Sequence, residues 1–133
     1  MLRKIASTLI IFFLIPQWVY AESAAKELQS LYATQGADAY SAKTGGSKWK
    51  REVASKNGDN RSCSTCHTAD LRQSGKHIKT KKVIQPMAFS VNKDRYTKTK
   101  KIEKWLKRNC KWTWGRECTA QEKGDFLEYL LAQ

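Results

Sequence analysis

The chain has 133 residues, of which 25 are Lys or Arg and 12 are Asp or Glu, so its formal net charge is +13. This length fits one domain with a thin core, which a large apolar cofactor would help to fill. A charge of this sign favours an acidic partner. Nucleic acid is the usual acidic partner of so basic a chain, and the export signal described next argues against it.

The N-terminus has the pattern of a secretory signal peptide. Arg3 and Lys4 precede an apolar run, and Val19 and Ala21 place small side chains before a cleavage site. An uncleaved membrane anchor is the alternative, but the run is short for a membrane span and Pro16 interrupts it. We therefore predict cleavage after Ala21.

This cleavage would divide the chain into a signal peptide, residues 1–21, and one domain, residues 22–133. Removal of the peptide takes away two basic residues and no acidic ones, which leaves a net charge of +11. We expect the mature chain in the periplasm, not inserted in the membrane and without a nucleic-acid partner. Its basic surface favours docking to an acidic protein.

Two helices are predicted before the first cysteine. The first mature segment carries apolar side chains at helical spacing, at Ala24, Leu28, Leu31 and Tyr32. The second helix begins after Ser41, a preferred capping residue, and its apolar residues Trp49 and Val53 are four apart. Gly45 and Gly46 weaken this helix, although a glycine can let another helix approach closely.

The stretch CSTCH, from Cys63 to His67, matches the C-x-x-C-H motif of c-type haem attachment. In that motif two thiols form thioethers with the haem vinyl groups, and the next residue lies beneath the iron, so His67 is the predicted proximal axial ligand. A thioredoxin-like pair would need strands, and no strand-like alternation is present. A zinc site would need a second pair, but Cys110 and Cys118 are too widely spaced. We predict one covalent haem c on Cys63 and Cys66.

A long polar connection follows His67 and continues to Asp94. It has no apolar stripe of helical period, and its apolar part is VIQPMAF, which contains Met87. Long loops in compact domains usually have a function. We expect this one to wrap an edge of the haem.

Two further helices are predicted after this connection. The first has Ile102, Trp105 and Leu106 on one face. The last begins with a capping box formed by Thr119 and Glu122, and its apolar stripe consists of Phe126, Leu127, Leu130 and Leu131. Such a stripe must dock on another element, and an early helix is the natural partner.

Helices at both ends with a haem between them predict an all-α fold of the class I cytochrome c type. The aromatic residues of these helices are interpreted as haem-shell or helix-contact residues, not catalytic ones: Trp49, Trp105, Phe126 and Tyr129.

Two cysteines remain once the first pair is assigned to haem. Cys110 and Cys118 are eight residues apart, and disulfides are the default in an oxidising compartment. A disulfide between them would pin the junction of the last two helices. It would also fix Asn109, Trp112 and Trp114 relative to the haem.

The residue at the sixth iron position decides the function, because a strong ligand favours electron transfer and a weak one lets small gases bind. His77 lies in a polar, basic segment, so we expect it to be exposed, and ligation by two histidines is weakly indicated. Met87 lies in a Pro-containing apolar loop, as in many electron-transfer cytochromes c, or it packs on the porphyrin. Asn109 offers only a weakly donating amide oxygen. Residue chemistry alone therefore favours Met87.

The stretches CSTCHTAD, EKWLKRNC and GRECTAQEKGDFLEYL together resemble the SHP-type oxygen-binding cytochromes c, over most of residues 22–133. The resemblance implies a class I cytochrome c-like fold with Asn109 as the distal ligand of the ferric haem. It implies that Asn109 leaves the iron on reduction, so that O2, NO or CO can bind, and that Cys110 and Cys118 form a disulfide beside it. One position departs from the family: Met87 stands where a member has leucine, so ligation by Met87 is the alternative.

The implied function is a periplasmic monohaem cytochrome that exchanges electrons with an acidic partner, such as a di-haem cytochrome c, and binds diatomic gases. The alternative is a low-spin electron carrier ligated by Met87. An enzyme that turns over O2 or NO is a third hypothesis. It is less favoured, because His77 is the only spare histidine and nothing in the sequence places it at the distal face.

Overall fold

The computed structural model describes residues 17–55 and 58–133. Most of the predicted signal peptide, residues 1–16, lies outside the described residues, so cleavage after Ala21 stays a prediction. Across the described ranges, no helix combines the length and the apolar character that a membrane span needs.

Helices form the frame of the described chain, which confirms the predicted all-α class. The α-helices are α1 (Gln17–Thr34), α2 (Ala42–Lys50), α3 (Ser64–His67), α4 (Thr99–Trp114) and α5 (Ala120–Leu131), with a 3-10 helix at Lys93–Tyr96. Two short antiparallel ladders join β1 (Val53–Ala54) to β2 (Asn60–Arg61) and β3 (Gly75–Lys76) to β4 (Val83–Ile84). Neither ladder is predictable from the sequence, because two-residue strands are too short to show an alternating pattern.

Helix α2 ends earlier than the spacing of Trp49 and Val53 predicts. Ser41 caps its N-terminus, as predicted. Beyond the end of α2 the backbone is extended, and Val53 pairs with Arg61 in the first ladder. The predicted continuation of the helix to Val53 is therefore wrong, because the chain turns back here and the N–H of Cys63 donates to the carbonyl of Trp49 at 3.1 Å.

The last helix, α5, packs on α1 and α2, which confirms the predicted docking on an early helix. Gly45 and Gly46 allow the close approach of α2, because a Cβ at Gly45 would lie 2.1 Å from the carbonyl oxygen of Asp125. A Cβ at Gly46 would lie 2.9 Å from the ring of Tyr129. The carboxylate of Asp125, only 2% exposed as a residue, accepts a hydrogen bond from Nζ of Lys48 at 3.1 Å. This contact fixes α2 on α5.

The capping box at the start of α5 is formed as predicted. The hydroxyl of Thr119 accepts a hydrogen bond from the N–H of Glu122 at 3.2 Å, and the Glu122 carboxylate accepts one from the N–H of Thr119 at 2.9 Å. The guanidinium of Arg116 donates to both oxygens of the same carboxylate, at 2.7 and 2.8 Å. Together these bonds fix the point where α5 begins.

Two residues of the predicted apolar stripes are exposed. Leu31 is 48% exposed and Trp105 is 44% exposed. The buried positions of α1 are Ala24, Ala25, Leu28, Gln29 and Tyr32. These residues follow one helical face, and Leu31 lies beside it. The core itself contains residues from both ends of the chain, among them Leu28, Tyr32, Ile102, Phe126 and Leu127.

Candidate functional site

A cavity of about 380 Å³ brings most of the predicted site residues together. It is lined by parts of α3, α4 and α5, by the β3–β4 hairpin and by the segment that leads to the 3-10 helix. The predicted site residues in its wall are Cys63, Cys66, His67, His77, Met87, Asn109 and Cys110. Its apolar wall includes Trp49, Ile84, Ile102, Leu106, Phe126 and Leu130. The volume lies in the range of roughly 300–1,000 Å³ that is usual for cofactor sites.

The first cysteine pair lies at helix α3. Cys63 caps this helix, Cys66 and His67 lie within it, and neither thiol forms a disulfide. Burial raises the pKa of Cys63 to about 12, while a hydrogen bond with Thr113 acts in the opposite direction. The thiol is therefore protonated at neutral pH. The β3 strand packs closely on this turn, since a Cβ at Gly75 would lie 2.0 Å from the carbonyl oxygen of Cys66.

The ring of His67 is held as a neutral base. Burial lowers its pKa to about 4, and the positive charge of Arg95 adds to the shift. Its Nδ1 is buried and has no hydrogen-bond partner among the described residues, and its ring lies 5.4 Å from that of Trp49. Neutral imidazole is the form that binds metal ions. His67 is therefore in the protonation state that iron ligation requires.

The charges of the cavity also fit haem. The basic residues Lys82, Arg95, Lys101 and Arg108 line it, and its described lining contains no Asp or Glu. The guanidinium of Arg95 is fixed by a hydrogen bond from Nε to the carbonyl of Pro86 at 2.9 Å. Haem has a large apolar ring and two propionate carboxylates. Apolar walls, positive charge, two thiols and a neutral imidazole are the complement of such a group.

The predicted disulfide between Cys110 and Cys118 is formed, with Cα atoms 5.6 Å apart. Cys110 lies one turn before the end of α4, and Cys118 lies just before α5. Between them Gly115 caps α4 with a left-handed φ of 70°. The disulfide therefore holds the last turn of α4 near the start of α5. Because both sulfurs are bonded to each other, they are not available to complete a zinc site.

Asn109 is half-buried in α4, immediately before Cys110, and lines the cavity. Trp105 lies one turn before it and Trp112 one turn after it, and both line the same cavity. Residues three and four apart share a helix face. Asn109 is therefore flanked by two tryptophans on the face of α4 that borders the cavity.

The two tryptophans of the disulfide loop differ in position. Trp112 lies in the cavity wall, and the guanidinium carbon of Arg61 lies 4.5 Å from its ring centroid. Trp114 instead packs on Phe126, with ring centroids 5.6 Å apart, and Arg116 covers it at 5.2 Å. Trp112 is thus the one that borders the candidate site.

Met87 lines the cavity, but its backbone is fixed to the chain that follows His67. Its N–H donates to the carbonyl of Leu71 at 2.9 Å. Arg95, whose charge acts on His67, donates to the carbonyl of the residue just before Met87. Met87 therefore approaches the cavity beside the His67 segment, whereas Asn109 approaches it from α4.

His77 is half-buried in the cavity wall, so the prediction of an exposed side chain is wrong. Its N–H donates to the carbonyl of Lys82 at 2.9 Å, and its carbonyl accepts from the N–H of Lys81 at 2.9 Å. The polar composition of this segment predicts exposure, but the β3–β4 hairpin places His77 in the cavity wall. No local motif in the sequence marks the roles of Arg95 and Thr113, because their contacts form only in the folded chain.

Known proteins are similar to this chain in sequence and in fold. Residues 35–130 match the family described as Domain of unknown function (DUF1924). The cytochrome c-type protein SHP of Cereibacter sphaeroides is 48% identical over 75 residues, 56% of this chain and 57% of the relative. Cytochrome c'' of Methylophilus methylotrophus is 34% identical over 85 residues, 64% of this chain and 59% of the relative. The matched stretch thus spans less than two thirds of either relative.

Two solved structures extend the similarity to almost the whole fold. The structure of oxidized SHP, an oxygen-binding cytochrome c, matches with a TM-score of 0.74 and 36% identity, covering 82% of this chain and 96% of that chain. The solution structure of cytochrome c'' from Methylophilus methylotrophus, which addresses haem-ligand detachment, matches with a TM-score of 0.70 and 30% identity. It covers 86% of this chain and 94% of that chain.

A helical frame around an apolar cavity, with a C-x-x-C-H motif in its wall, defines the class of c-type cytochromes. The sequence and structure similarities show to which family of c-type cytochromes the chain belongs. The chain belongs to the DUF1924 family and to the family of SHP-type cytochromes c, which confirms the resemblance seen in the sequence. The class I cytochrome c-like helical fold is confirmed with it.

Proposed function

We propose that the mature chain is a periplasmic monohaem c-type cytochrome that accepts electrons and binds O2, NO or CO at the reduced haem iron. The observation that carries the proposal is one apolar cavity lined by both His67 of the haem motif and Asn109 of α4. The solved SHP structure, that of an oxygen-binding cytochrome c, supports the gas-binding part. When bound, haem supplies an iron atom that stores one electron and offers two axial positions.

The attachment side of the site follows from α3. Cys63 and Cys66 would hold one haem c through thioethers, and His67 would be the proximal axial ligand. Cys66 is buried, Cys63 and His67 are half-buried in the cavity wall, and the lowered pKa of His67 keeps the imidazole neutral. These residues would therefore hold the cofactor without a competing proton on the ligand nitrogen.

Asn109 is the proposed distal ligand of the ferric form. Its amide oxygen is a weak donor, which ferric iron, the harder acid, holds better than ferrous iron does. The disulfide between Cys110 and Cys118 fixes the end of α4, so the side chain can move while the helix stays in place. The description of haem-ligand detachment for the related cytochrome c'' supports a releasable ligand.

A low-spin electron carrier ligated by Met87 is the second candidate, since Met87 also lines the cavity. Two variants distinguish the candidates. We expect Asn109→Ala to leave the ferric haem five-coordinate or water-bound, and Met87→Leu, the matched control, to leave the ferric absorption spectrum unchanged. The opposite pattern, with loss of a methionine-to-iron charge-transfer band in Met87→Leu, would assign the ligand to Met87.

Carbon monoxide tests the gas site. We expect its addition to the reduced, haem-loaded protein to shift the Soret absorption band, because the sixth position is open in that state. An unchanged spectrum would contradict the proposed function. Steady-state consumption of NO or peroxide separates binding from catalysis, and we expect binding without turnover.

An acidic redox partner, such as a di-haem cytochrome c, is part of the proposal. Lys101 and Arg108 border the cavity on α4, and the guanidinium carbon of Arg108 lies 5.0 Å from the ring of the half-exposed Trp105. Electron exchange with such a partner should slow as salt rises. Lys101→Glu should slow it more than Lys43→Glu, an exposed control on α2 outside the cavity lining. Rates that do not respond to salt would contradict this docking.

A further inference from the structure

His77 has no part in the proposed function, although its side chain lines the same cavity as Asn109. The β3–β4 hairpin that carries it contacts both α3 and α4. At its start, Gly75 packs on the backbone of Cys66. Two residues later the ring of His77 lies 6.5 Å from the ring of Trp112 on α4. The hairpin therefore brings a histidine to the wall from which Asn109 approaches.

The position of the proton on His77 follows from a backbone contact. Its Nδ1 accepts a hydrogen bond from the N–H of Thr80 at 3.1 Å. In a neutral imidazole with an accepting Nδ1, the proton is on Nε2. Nε2 is then a hydrogen-bond donor and has no free lone pair for iron. The same contact argues against His77 as the sixth ligand.

The surroundings leave this donor available. No hydrogen bond from Nε2 of His77 is formed within residues 17–55 and 58–133, and no carboxylate of that part of the chain lines the cavity. Trp112, against which the ring lies, is one helical turn from Asn109. The hairpin bonds from His77 to Lys81 and Lys82 limit the movement of the backbone behind it.

We infer that His77 is a distal hydrogen-bond donor, whose Nε2–H donates to a diatomic gas that takes the position of Asn109, and that it favours O2 over CO. The inference rests on the proposed function, because it needs a gas at the iron. Iron-bound O2 carries more negative charge than iron-bound CO, so a donor at this position stabilises it more. His77 would then determine which gas is retained.

Three variants of the full, haem-loaded chain test this role. His77→Phe keeps an aromatic ring but removes the donor, and His77→Gln restores an N–H donor. Ile78→Ala changes an exposed neighbour on the same hairpin that does not line the cavity, and serves as the control. Rates of O2 and CO dissociation from the reduced protein are measured by stopped flow, and the C–O stretching frequency by infrared spectroscopy.

We expect His77→Phe to speed O2 dissociation by roughly fivefold to tenfold, as loss of one hydrogen bond implies. CO dissociation should change much less, the C–O stretch should move to higher frequency, and His77→Gln should recover part of each effect. If wild type binds CO but His77→Phe leaves the O2 to CO ratio and the C–O stretch unchanged, only the role of His77 is overturned. If wild type binds no CO, the proposed function fails as well. A ferric haem that loses its sixth ligand in His77→Phe would make His77 a ligand and also overturn the inference.

Discussion

Replacing Gly45 by alanine tests the α2–α5 contact that positions one wall of the cavity. In an isolated helix the change would stabilise by about 1 kcal/mol, because glycine has a low helix propensity. In this fold the new Cβ would lie 2.1 Å from the carbonyl oxygen of Asp125 and 2.9 Å from Cβ of Tyr129. Neither of these atoms can rotate away. The helices must therefore separate by about 1 Å to restore van der Waals contact.

That separation would weaken the packing of Trp49 on Phe126, whose ring centroids are 6.0 Å apart, and the ion pair of Lys48 with Asp125. Overpacking costs typically about 1–3 kcal/mol, so we expect Gly45→Ala to lower the free energy of unfolding by about 2 kcal/mol. Urea unfolding of the haem-loaded protein, followed by far-ultraviolet circular dichroism, measures this change. The exposed neighbour provides a control, since Thr44→Ala should stay within about 0.5 kcal/mol of wild type. A Gly45→Ala protein as stable as wild type, or more stable, would refute the close helix contact.

Two further predictions concern the start of α5. Hydrogen bonds from Arg116 hold the pKa of Glu122 below its ordinary value of 4.5. The hydrogen bond from the N–H of Thr119 lowers this pKa further, whereas burial acts in the opposite direction. Because the carboxyl pKa is lower in the folded chain than in the unfolded chain, the ionised carboxylate stabilises the fold above pH 4.5, and this stabilisation is lost as the pH falls below that value. Glu122→Gln should therefore reduce the dependence of the unfolding free energy on pH in this acid range. An unchanged pH dependence would count against the Arg116 contact. Replacing both Cys110 and Cys118 by alanine should lower the free energy of unfolding by about 2–3 kcal/mol, the loop-closure value for so short a loop. Urea unfolding measures this too, and wild-type stability in the double variant would contradict it.

Much of the fold is predictable from the sequence because its determinants are local. The Ser41 cap, the Thr119 capping box and the stripe of α5 each occupy a few neighbouring residues, and the structure confirms all three. The end of α2 is different. Val53 has helical spacing from Trp49, but in the structure it pairs with Arg61 in the first ladder. This pairing depends on the turn between the two strands, which the spacing of apolar residues does not reveal.

The residues of the candidate site also differ in whether local sequence predicts them. The haem motif and the disulfide cysteines follow from spacing and count, and the structure brings the motif residues to one cavity. His77 and Arg95 could not be placed in advance, because a hairpin and a bond to a distant carbonyl position them. Asn109 is a special case. Residue chemistry alone favours Met87, and only the family resemblance points to Asn109.

The central claim is that the sixth ligand leaves the iron on reduction. The coordination and spin state of the haem in both oxidation states, read from absorption and resonance Raman spectra of the same sample, test it most directly. Release of Asn109 predicts a six-coordinate ferric haem and a five-coordinate, high-spin ferrous haem. A six-coordinate, low-spin haem in both states, with a methionine charge-transfer band when oxidised, would contradict it.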